Sequence, residues 1–486
     1  MRIVKNYLYN IFYQVFILLV PIVTTPYLAR VIGPVGVGIN SYTNANIQYF
    51  ILFGSIGINL YGNRQIAFVR DDRELLTKTF YEIYILRIIS IALAYLAFLI
   101  FLLFTNRFQV YYWAQSVSLI AAAFDISWFF MGVENFAVTV LRNFVVKIIT
   151  VISILTLVKS YSDLTLYIFI LSISLLIGNL TLFPNLRKYI GKPVLKSMDI
   201  LKHIRPAVIL FIPQIATQVY LVLNKTTIGL ISSVQAAGYF DQSDKIVKIT
   251  LAIVTATGTV MLPHVANAFA NREYQKTKNY LYKSFSFVSA ISIPMSFGLL
   301  AIANKFIPLF LTAKFNEVIP IIMIESLVIL LIAWSNAIGT QYLLPTNQSK
   351  AYSISVILGA VINLLCNIPL IVLWGALGAA IATVISEAAV TSYQLWSIRK
   401  QVDFHKLFFE TYKYFLSGLL MFIVVSYINK LLPSSWLILI MEITIGIFVY
   451  VIVLFILKAS GLKSIFETGF KRHSEPRLPA TAQINH

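Results

Sequence analysis

The sequence predicts an all-α, polytopic membrane protein with about fourteen transmembrane helices. Of its 486 residues, 59% are hydrophobic and only 12% are charged, and the mean hydropathy is +0.82. Soluble domains carry about 25% charged residues. The apolar residues also form long runs, and a helix needs about 20 of them to span a bilayer. A chain of this composition is expected to fold within a membrane.

Fourteen segments are long and apolar enough to span a bilayer. In chain order they cover approximately 9–31, 39–61, 81–104, 110–131, 137–158, 164–183, 207–231, 239–264, 284–303, 319–340, 352–373, 377–397, 413–430 and 436–457. Residues 1–9 lead directly into the first segment without a small-residue cleavage site, so no signal peptide is expected.

Basic residues between these segments predict the orientation of the chain. We count 28 Lys and Arg on one side, with Arg142 and Lys147 among them, and 5 on the other. Cytoplasmic loops carry the excess of Lys and Arg, so both termini are expected in the cytoplasm. The net charge of +19 then reflects this bias and attraction to anionic membrane lipids. Because the basic residues are dispersed over eight segments of one membrane face, no nucleic-acid partner is expected.

A basic segment divides the predicted spans into two groups of six. Residues 1–183 would form an N-lobe, 184–206 a basic cytoplasmic linker and 207–397 a C-lobe. An even number of spans makes any repeat parallel, related by an axis along the membrane normal. Residues 398–457 would add two spans, and 458–486 would form a cytoplasmic tail with a disordered end.

The predicted eighth span carries an unusual charged stripe. Asp241, Asp244, Lys245 and Lys248 follow one another at i, i+3, i+4 and i+7, which places them on one face of a helix. Each charge near the middle of a membrane helix costs about 2.5–3.5 kcal/mol on insertion scales. The stripe must therefore face protein or a water-filled cavity, because it cannot face lipid.

The second span resembles the eighth in position and polarity. The glycine-rich turn 33–38 precedes span two, and the small-residue turn 233–238 precedes span eight, at an offset of 200 residues. Span two continues with Asn40, Asn44 and Gln48, each four residues apart. The two stripes are expected to face each other across a central cavity.

The run from Pro26 to Gly38, PYLARVIGPVGVG, resembles the first-span signature of the polysaccharide transport family. This family, which includes the Wzx-like oligosaccharide flippases, belongs to the multidrug/oligosaccharidyl-lipid/polysaccharide exporter superfamily. The resemblance implies two lobes around a cationic central cavity and alternating access. It also implies flipping of undecaprenyl-diphosphate-linked repeat units in the bacterial cytoplasmic membrane, for capsule, exopolysaccharide or O-antigen. The lipid-linked oligosaccharide, membrane lipids and other polysaccharide-assembly proteins are then the expected partners.

The candidate site residues divide into three groups by chemistry. The expected ligands of the substrate diphosphate are the cations Lys225, Lys245, Lys248, Arg30 and Arg87. Asn40, Asn44 and Gln48 are the polar side chains expected to face sugars. The acids expected to couple ions or to gate are Asp125, Asp241, Asp244, Glu325 and Glu387. Two alternatives stay open for the cations, since Asp–Lys pairs four residues apart favour internal neutralisation and long side chains near span ends can reach the interface.

No enzyme, cofactor or metal site is predicted. The five histidines are scattered, the P-loop pattern is absent, and the single Cys366 excludes a disulfide within the chain. Proton or Na⁺ coupling remains open through the acids. A cation-coupled multidrug exporter is the first rival, but acids should dominate its cavity. A membrane glycan polymerase is the second, and it would need a large outer loop.

Overall fold

In the computed structural model, the backbone is described for residues 2–192 and 198–459. Side chains are described for these residues except 2–15, 212–214, 216–217, 219–221, 256–257 and 259–260. The part of the chain so described contains helices, turns and loops but no β-strand. The all-α prediction is therefore confirmed.

Helices of the first half follow the predicted spans closely. They are α1 (Arg2–Val31), α2 (Gly33–Ser55), α3 (Ile58–Val69), α4 (Arg73–Leu103), α5 (Gln109–Ala123), α6 (Ser127–Gly132), α7 (Phe136–Leu157), α8 (Leu164–Leu180) and α9 (Phe183–Leu186). The sequence missed the break between α2 and α3, where Ile56 and Gly57 both adopt left-handed backbone conformations.

Helices of the second half begin after the basic linker. They are α10 (Ile204–Ile231), α11 (Val234–Ala270), α12 (Tyr274–Phe310), α13 (Val318–Ser335), α14 (Ser349–Ile398), α15 (Phe404–Phe408), α16 (Thr411–Leu431) and α17 (Trp436–Ile456). A π-helical segment, Asn336–Leu343, extends α13. α14 covers two predicted spans, which meet at Gly375, where a φ of 56° turns the chain.

The predicted spans fall on these helices, although 39–61 is divided between α2 and α3 and 110–131 between α5 and α6. Within the described ranges, nine helices are long and apolar enough to cross a membrane, or ten when a bent pair counts as one span. The total of fourteen spans stays a prediction. Arg142 and Lys147, which were counted with the cytoplasmic segments, lie within α7.

The helix contacts form two lobes. In the first half, α1, α2, α5, α8 and α7 contact one another in a closed ring. In the second half, α11 packs on α12 and α13, while α14 packs on α10 and α13. α2 contacts both α10 and α11, and joins the lobes. The added helices α16 and α17 pack against α12, outside the ring of the first lobe.

A buried carboxylate fastens the interlobe linker to the first lobe. Glu82 is fully buried, and its Oε2 accepts hydrogen bonds from Lys202 Nζ at 2.8 Å and His203 Nε2 at 2.9 Å. Its Oε1 accepts one from the backbone N–H of Asp199 at 2.8 Å. His203 Nδ1 lies 2.6 Å from the hydroxyl of Tyr61. Burial lowers the pKa of His203 below its usual value, which favours the neutral ring that donates to Glu82 and accepts from Tyr61. The start of α10 is thereby held to α3 and α4.

Candidate substrate cavity and charge network

Two neighbouring helices, α10 and α11, carry a network of five charges. Asp241 bridges two lysines, since its Oδ1 lies 2.5 Å from Lys225 Nζ and its Oδ2 lies 2.5 Å from Lys245 Nζ. Asp244 Oδ2 lies 2.8 Å from Lys248 Nζ and 3.5 Å from Lys225 Nζ. Three ammonium groups thus share two carboxylates. The internal pairing left open by the sequence is present. Among these five side chains the positive charges outnumber the negative ones by one, and Glu325 and Glu387 line the pocket beside Asp244 and Lys248.

Two of the three ammonium groups are accessible at one end of the network. Asp241 is 4% exposed, whereas the side chains of Lys245 and Lys248 are 40% and 50% exposed. The carboxylates therefore lie at the buried base of the network, and the side chains of Lys245 and Lys248, each paired with one carboxylate, form its exposed end. Lysine ammonium groups in this position are suited to bind the oxygens of a phosphate or carboxylate group.

A pocket of about 80 Å³, lined by apolar and polar side chains, lies beside the network within the second lobe. Its lining includes Asp244 and Lys248 from α11, Glu325 from α13, and Thr383 and Glu387 from α14. This volume has room for a few water molecules or a small hydrated ion. The structure thus brings two acids predicted from separate spans, in α13 and α14, next to the charged stripe.

Arg87 lies inside the first lobe, at the junction of two broken helices. It is 1% exposed, and its Nε donates to the carbonyl of Ala122 at 2.6 Å. Its Nη1 donates to Asn59 Oδ1 at 2.6 Å, and its Nη2 lies 3.5 Å from Asp125 Oδ2. Arg87 therefore joins the start of α3 to the gap between α5 and α6. In this conformation the guanidinium is not directed at the α10–α11 network, and the predicted role of Arg87 in substrate binding remains a prediction.

Only part of the polar stripe of α2 faces the second lobe. Gln115 Nε2 of α5 donates to Asn40 Oδ1 at 3.2 Å, which places Asn40 against its own lobe. Gln48 Nε2 donates to Asn44 Oδ1 at 3.2 Å. Gln48 is exposed and lines a pocket of about 200 Å³ that it shares with Gln218 of α10. The Gln48 end of this stripe therefore lines a space between the two lobes.

Helices α2 and α11 touch at a pair of glycines. A Cβ added to Gly238 would lie 2.8 Å from the backbone N and Cα of Gly38. A Cβ on Gly38 would meet the carbonyl group of Val234. Gly38 and Gly238 are the two positions that the sequence relates by the 200-residue offset. This glycine contact closes the cavity at the end of the molecule where α2 and α11 begin.

Arg30 crosses between the lobes at the same end. Its Nη1 and Nη2 donate to the carbonyls of Phe310 and Leu309, at 3.3 Å and 3.0 Å, and Nη1 also donates to Pro26 O at 2.8 Å. The last carbonyls of a helix lack intrahelical partners, and a cation is favourable there. Arg30 thus caps α12 from the opposite lobe, a contact that would break if this end opened.

Replacing Arg30 with glutamine is expected to shift the protein several-fold towards opening at this end, because two charge-assisted hydrogen bonds between the lobes are lost. Spin labels at Lys159 and Lys314, in a background without Cys366, would report the change as a longer distance between the lobes. Arg107→Gln is the matched control, since the Arg107 guanidinium lies 4.6 Å from the ring centre of Phe108 in its own lobe. An unchanged distance distribution in the Arg30 variant would contradict the assignment.

Two lysines that were counted with the segments outside the membrane lie within helices. Lys305, which follows the predicted span 284–303 and was therefore counted among the five basic residues of the outer side, lies in α12 and pairs with Glu442 of α17 at 2.5 Å. Glu442 also accepts from Asn429 Nδ2 at 2.9 Å. In the sequence, this contact is indicated by Glu442, a single acidic residue within the otherwise apolar helix α17. Lys147 lies in the middle of α7.

Taken together, a helical bundle of two lobes with a charged interlobe region defines a membrane transporter fold. A family model described as a polysaccharide biosynthesis protein matches residues 3–269. The chain therefore belongs to the polysaccharide biosynthesis protein family, and the sequence-based family assignment is confirmed.

Known proteins match this chain over most of their own length. The chain is 24% identical over 386 residues to the "Putative O-antigen transporter" of Escherichia coli (strain K12), and the alignment covers 78% of this chain and 93% of that protein. The solved lipid II flippase MurJ, in an inward closed conformation, matches 96% of this chain and 100% of its own, with a TM-score of 0.73 and 17% identity. An inward-facing multidrug transporter of the MATE family matches 79% of this chain and 98% of its own, with a TM-score of 0.59 and 11% identity. The last two likenesses establish the fold.

Proposed function

We propose that this protein is a flippase for lipid-linked oligosaccharides, a transporter and not an enzyme. The observation that carries the proposal is the exposure of the ammonium groups of Lys245 and Lys248 in the α10–α11 network. A diphosphate cannot cross hydrocarbon without a polar route, and this network offers one. Membership of the family and the O-antigen transporter relative support the same substrate class. The substrate would be an undecaprenyl-diphosphate-linked repeat unit for capsule, exopolysaccharide or O-antigen.

The proposed cycle alternates access between the two faces of the bacterial cytoplasmic membrane. The glycine contact and Arg30 close one end of the cavity, which the distribution of basic residues assigns to the outside, with both termini inside. The lysines would bind the diphosphate from the inner leaflet, and Asn44 and Gln48 would hydrate the sugars. The prenyl chain would remain in lipid. Rocking of the lobes would then expose the bound head group to the outer leaflet.

The membrane potential favours this direction of transport. Each negative charge that leaves a negative-inside cell gains about 2.3 kcal/mol per 100 mV. Two charges would therefore supply roughly 4–5 kcal/mol. The pocket lined by Glu325 and Glu387 would add proton or Na⁺ coupling, because binding a cation beside Asp244 changes the charge next to the network.

Single alanine variants of Lys225, Lys245 and Lys248 test the site. Each removes one ammonium group of the network, so transport is expected to fall by about 10- to 100-fold while the protein still reaches the membrane. The measurement is the amount of lipid-linked repeat unit on each leaflet in a host that lacks the wild-type gene. Lys430→Ala, at the exposed end of α16, is the control. Normal transport in all three variants would reject this site.

Deletion of the gene separates this function from its rival. A flippase deletion should accumulate lipid-linked repeat units on the inner leaflet and lose surface polysaccharide. A multidrug exporter of the same fold would instead leave the glycan unchanged and alter sensitivity to cationic drugs.

A further inference from the structure

Lys147 places a positive charge in the middle of a membrane-spanning helix. α7 runs from Phe136 to Leu157, so Lys147 lies about 15 Å from either end at 1.5 Å per residue. Snorkelling places a lysine head at the interface only near helix ends, so this explanation does not apply at mid-helix. An ionisable residue at this depth indicates a functional site.

The direction of the side chain follows from its neighbours on α7. The most exposed apolar residues, Leu141, Val145, Ile149 and Ile152, form one face that is suited to lipid. At 3.6 residues per turn, Lys147 lies on the opposite side of the helix. Its side chain is partly exposed there. This exposure is therefore to a space within the protein and not to lipid.

Contacts of adjacent residues confirm that this side faces the bundle. A Cβ added to Gly178 of α8 would lie 3.2 Å from the Val146 side chain. The ring centres of Phe144 and of Phe16 in α1 lie 4.5 Å apart. Lys147 therefore points into the ring of helices formed by α1, α2, α5, α8 and α7. Polar pairs join other helices of this ring, with Ser118 of α5 donating to Ser172 of α8 at 2.9 Å.

Lys147 has no hydrogen-bond acceptor and no counter-charge among the described side chains. α1 runs beside α7, as the contacts from Phe16 to Phe144 and from Tyr27 to Val158 show. The α1 residues level with Lys147 are the apolar run from Phe16 to Val23. By contrast, Arg87, Lys225 and Lys305 all have acidic partners. An uncompensated charge at this depth is costly, and an incoming anion would offset that cost.

We propose that Lys147 is an anion ligand of the first lobe, which binds a phosphate or carboxylate oxygen of the lipid-linked head group during translocation. This assignment rests on the proposed function and adds a site in the lobe opposite the α10–α11 network. The head group would then be held from both lobes.

Lys147→Gln removes the charge and Lys147→Arg retains it. Translocation of the native lipid-linked repeat unit by purified protein in proteoliposomes is expected to fall at least tenfold in the glutamine variant and to stay within about threefold of wild type in the arginine variant. Thermal unfolding of the glutamine variant should not be impaired, because the removed charge has no partner to leave behind. Lys159→Gln, just beyond the end of α7 and exposed, is the matched control. Lys147→Met is a second neutral variant in case the glutamine protein is not obtained.

Binding of undecaprenyl diphosphate without sugars distinguishes the two sources of the anion. Weaker binding to the glutamine variant would support a phosphate contact, and unchanged binding with lost translocation would support an acidic group on the glycan. Wild-type translocation by the glutamine variant would overturn the role of Lys147 alone. So would an equal loss in the arginine and glutamine variants with lowered thermal stability, which would indicate a structural role. Failure of the wild-type protein to translocate the repeat unit would instead refute the proposed function.

Discussion

Replacing Gly38 with alanine is expected to prevent the lobes from closing where α2 meets α11, and to reduce transport by at least about tenfold. A Cβ at this position would overlap the carbonyl group of Val234, which is backbone and cannot rotate away. The two helices would have to separate, so every conformation closed at this end becomes less favourable. A bias of only about 1.4 kcal/mol is enough for a tenfold change in a conformational equilibrium. Gly238→Ala is expected to act in the same direction, because its Cβ would lie 2.9 Å from the carbonyl oxygen of Pro34.

A second glycine-to-alanine change provides the matched control. Gly298 also lies within a helix, but a Cβ there would meet only Met421 Cε, at 3.8 Å. Alanine is the better helix former, so Gly298→Ala should be neutral or slightly stabilising. The measurement is the distance between spin labels at Lys159 and Lys314, recorded with the transport rate. If Gly38→Ala retained both the wild-type distance and the wild-type rate, the glycine contact would not be a gate.

Helical periodicity and repeat offset predicted the parts of this structure that depend on local sequence. The i, i+4 spacing of Asp241 with Lys245 and of Asp244 with Lys248 left two ion pairs open as an alternative, and the structure contains both. The offset of 200 residues placed Gly38 and Gly238 at equivalent turns, and these turns meet. Both signals follow from geometry within one helix or from the symmetry between two lobes.

Contacts between distant helices could not be derived in the same way. Lys225 is 16 residues from Asp241 and joins its network only because α10 and α11 pack side by side. Arg87 has Asp125 as its acidic partner through a break between α5 and α6 that no proline or glycine marks. Glu82, five residues before Arg87 in the same helix, binds the linker instead. Charge and hydropathy predict that such residues need partners, but tertiary packing selects the partner.

The ion pair between Lys305 and Glu442 illustrates this dependence, and its removal is expected to have the largest effect on stability. Lys305 is 4% exposed and Glu442 is fully buried, so Lys305→Met would leave a carboxylate without its counter-charge. Breaking a buried pair from one side typically costs about 3–5 kcal/mol. The pair joins α12 to α17, so the two added helices should detach from the second lobe first.

The double variant Lys305→Met, Glu442→Gln separates charge from packing. The amide of glutamine can still accept a hydrogen bond from Asn429, and no buried charge remains, so most of the lost stability should return. Thermal unfolding of the purified proteins in detergent would measure this difference. Equal stability of the single and double variants would show that the lysine contributes through its aliphatic chain and not through its charge. Recovery in the double variant would instead show that the buried charges require Lys305 and Glu442 to pair, and hence α12 and α17 to pack together. Apolar helix surfaces alone do not favour each other over lipid, so a buried ion pair can select which helices pack.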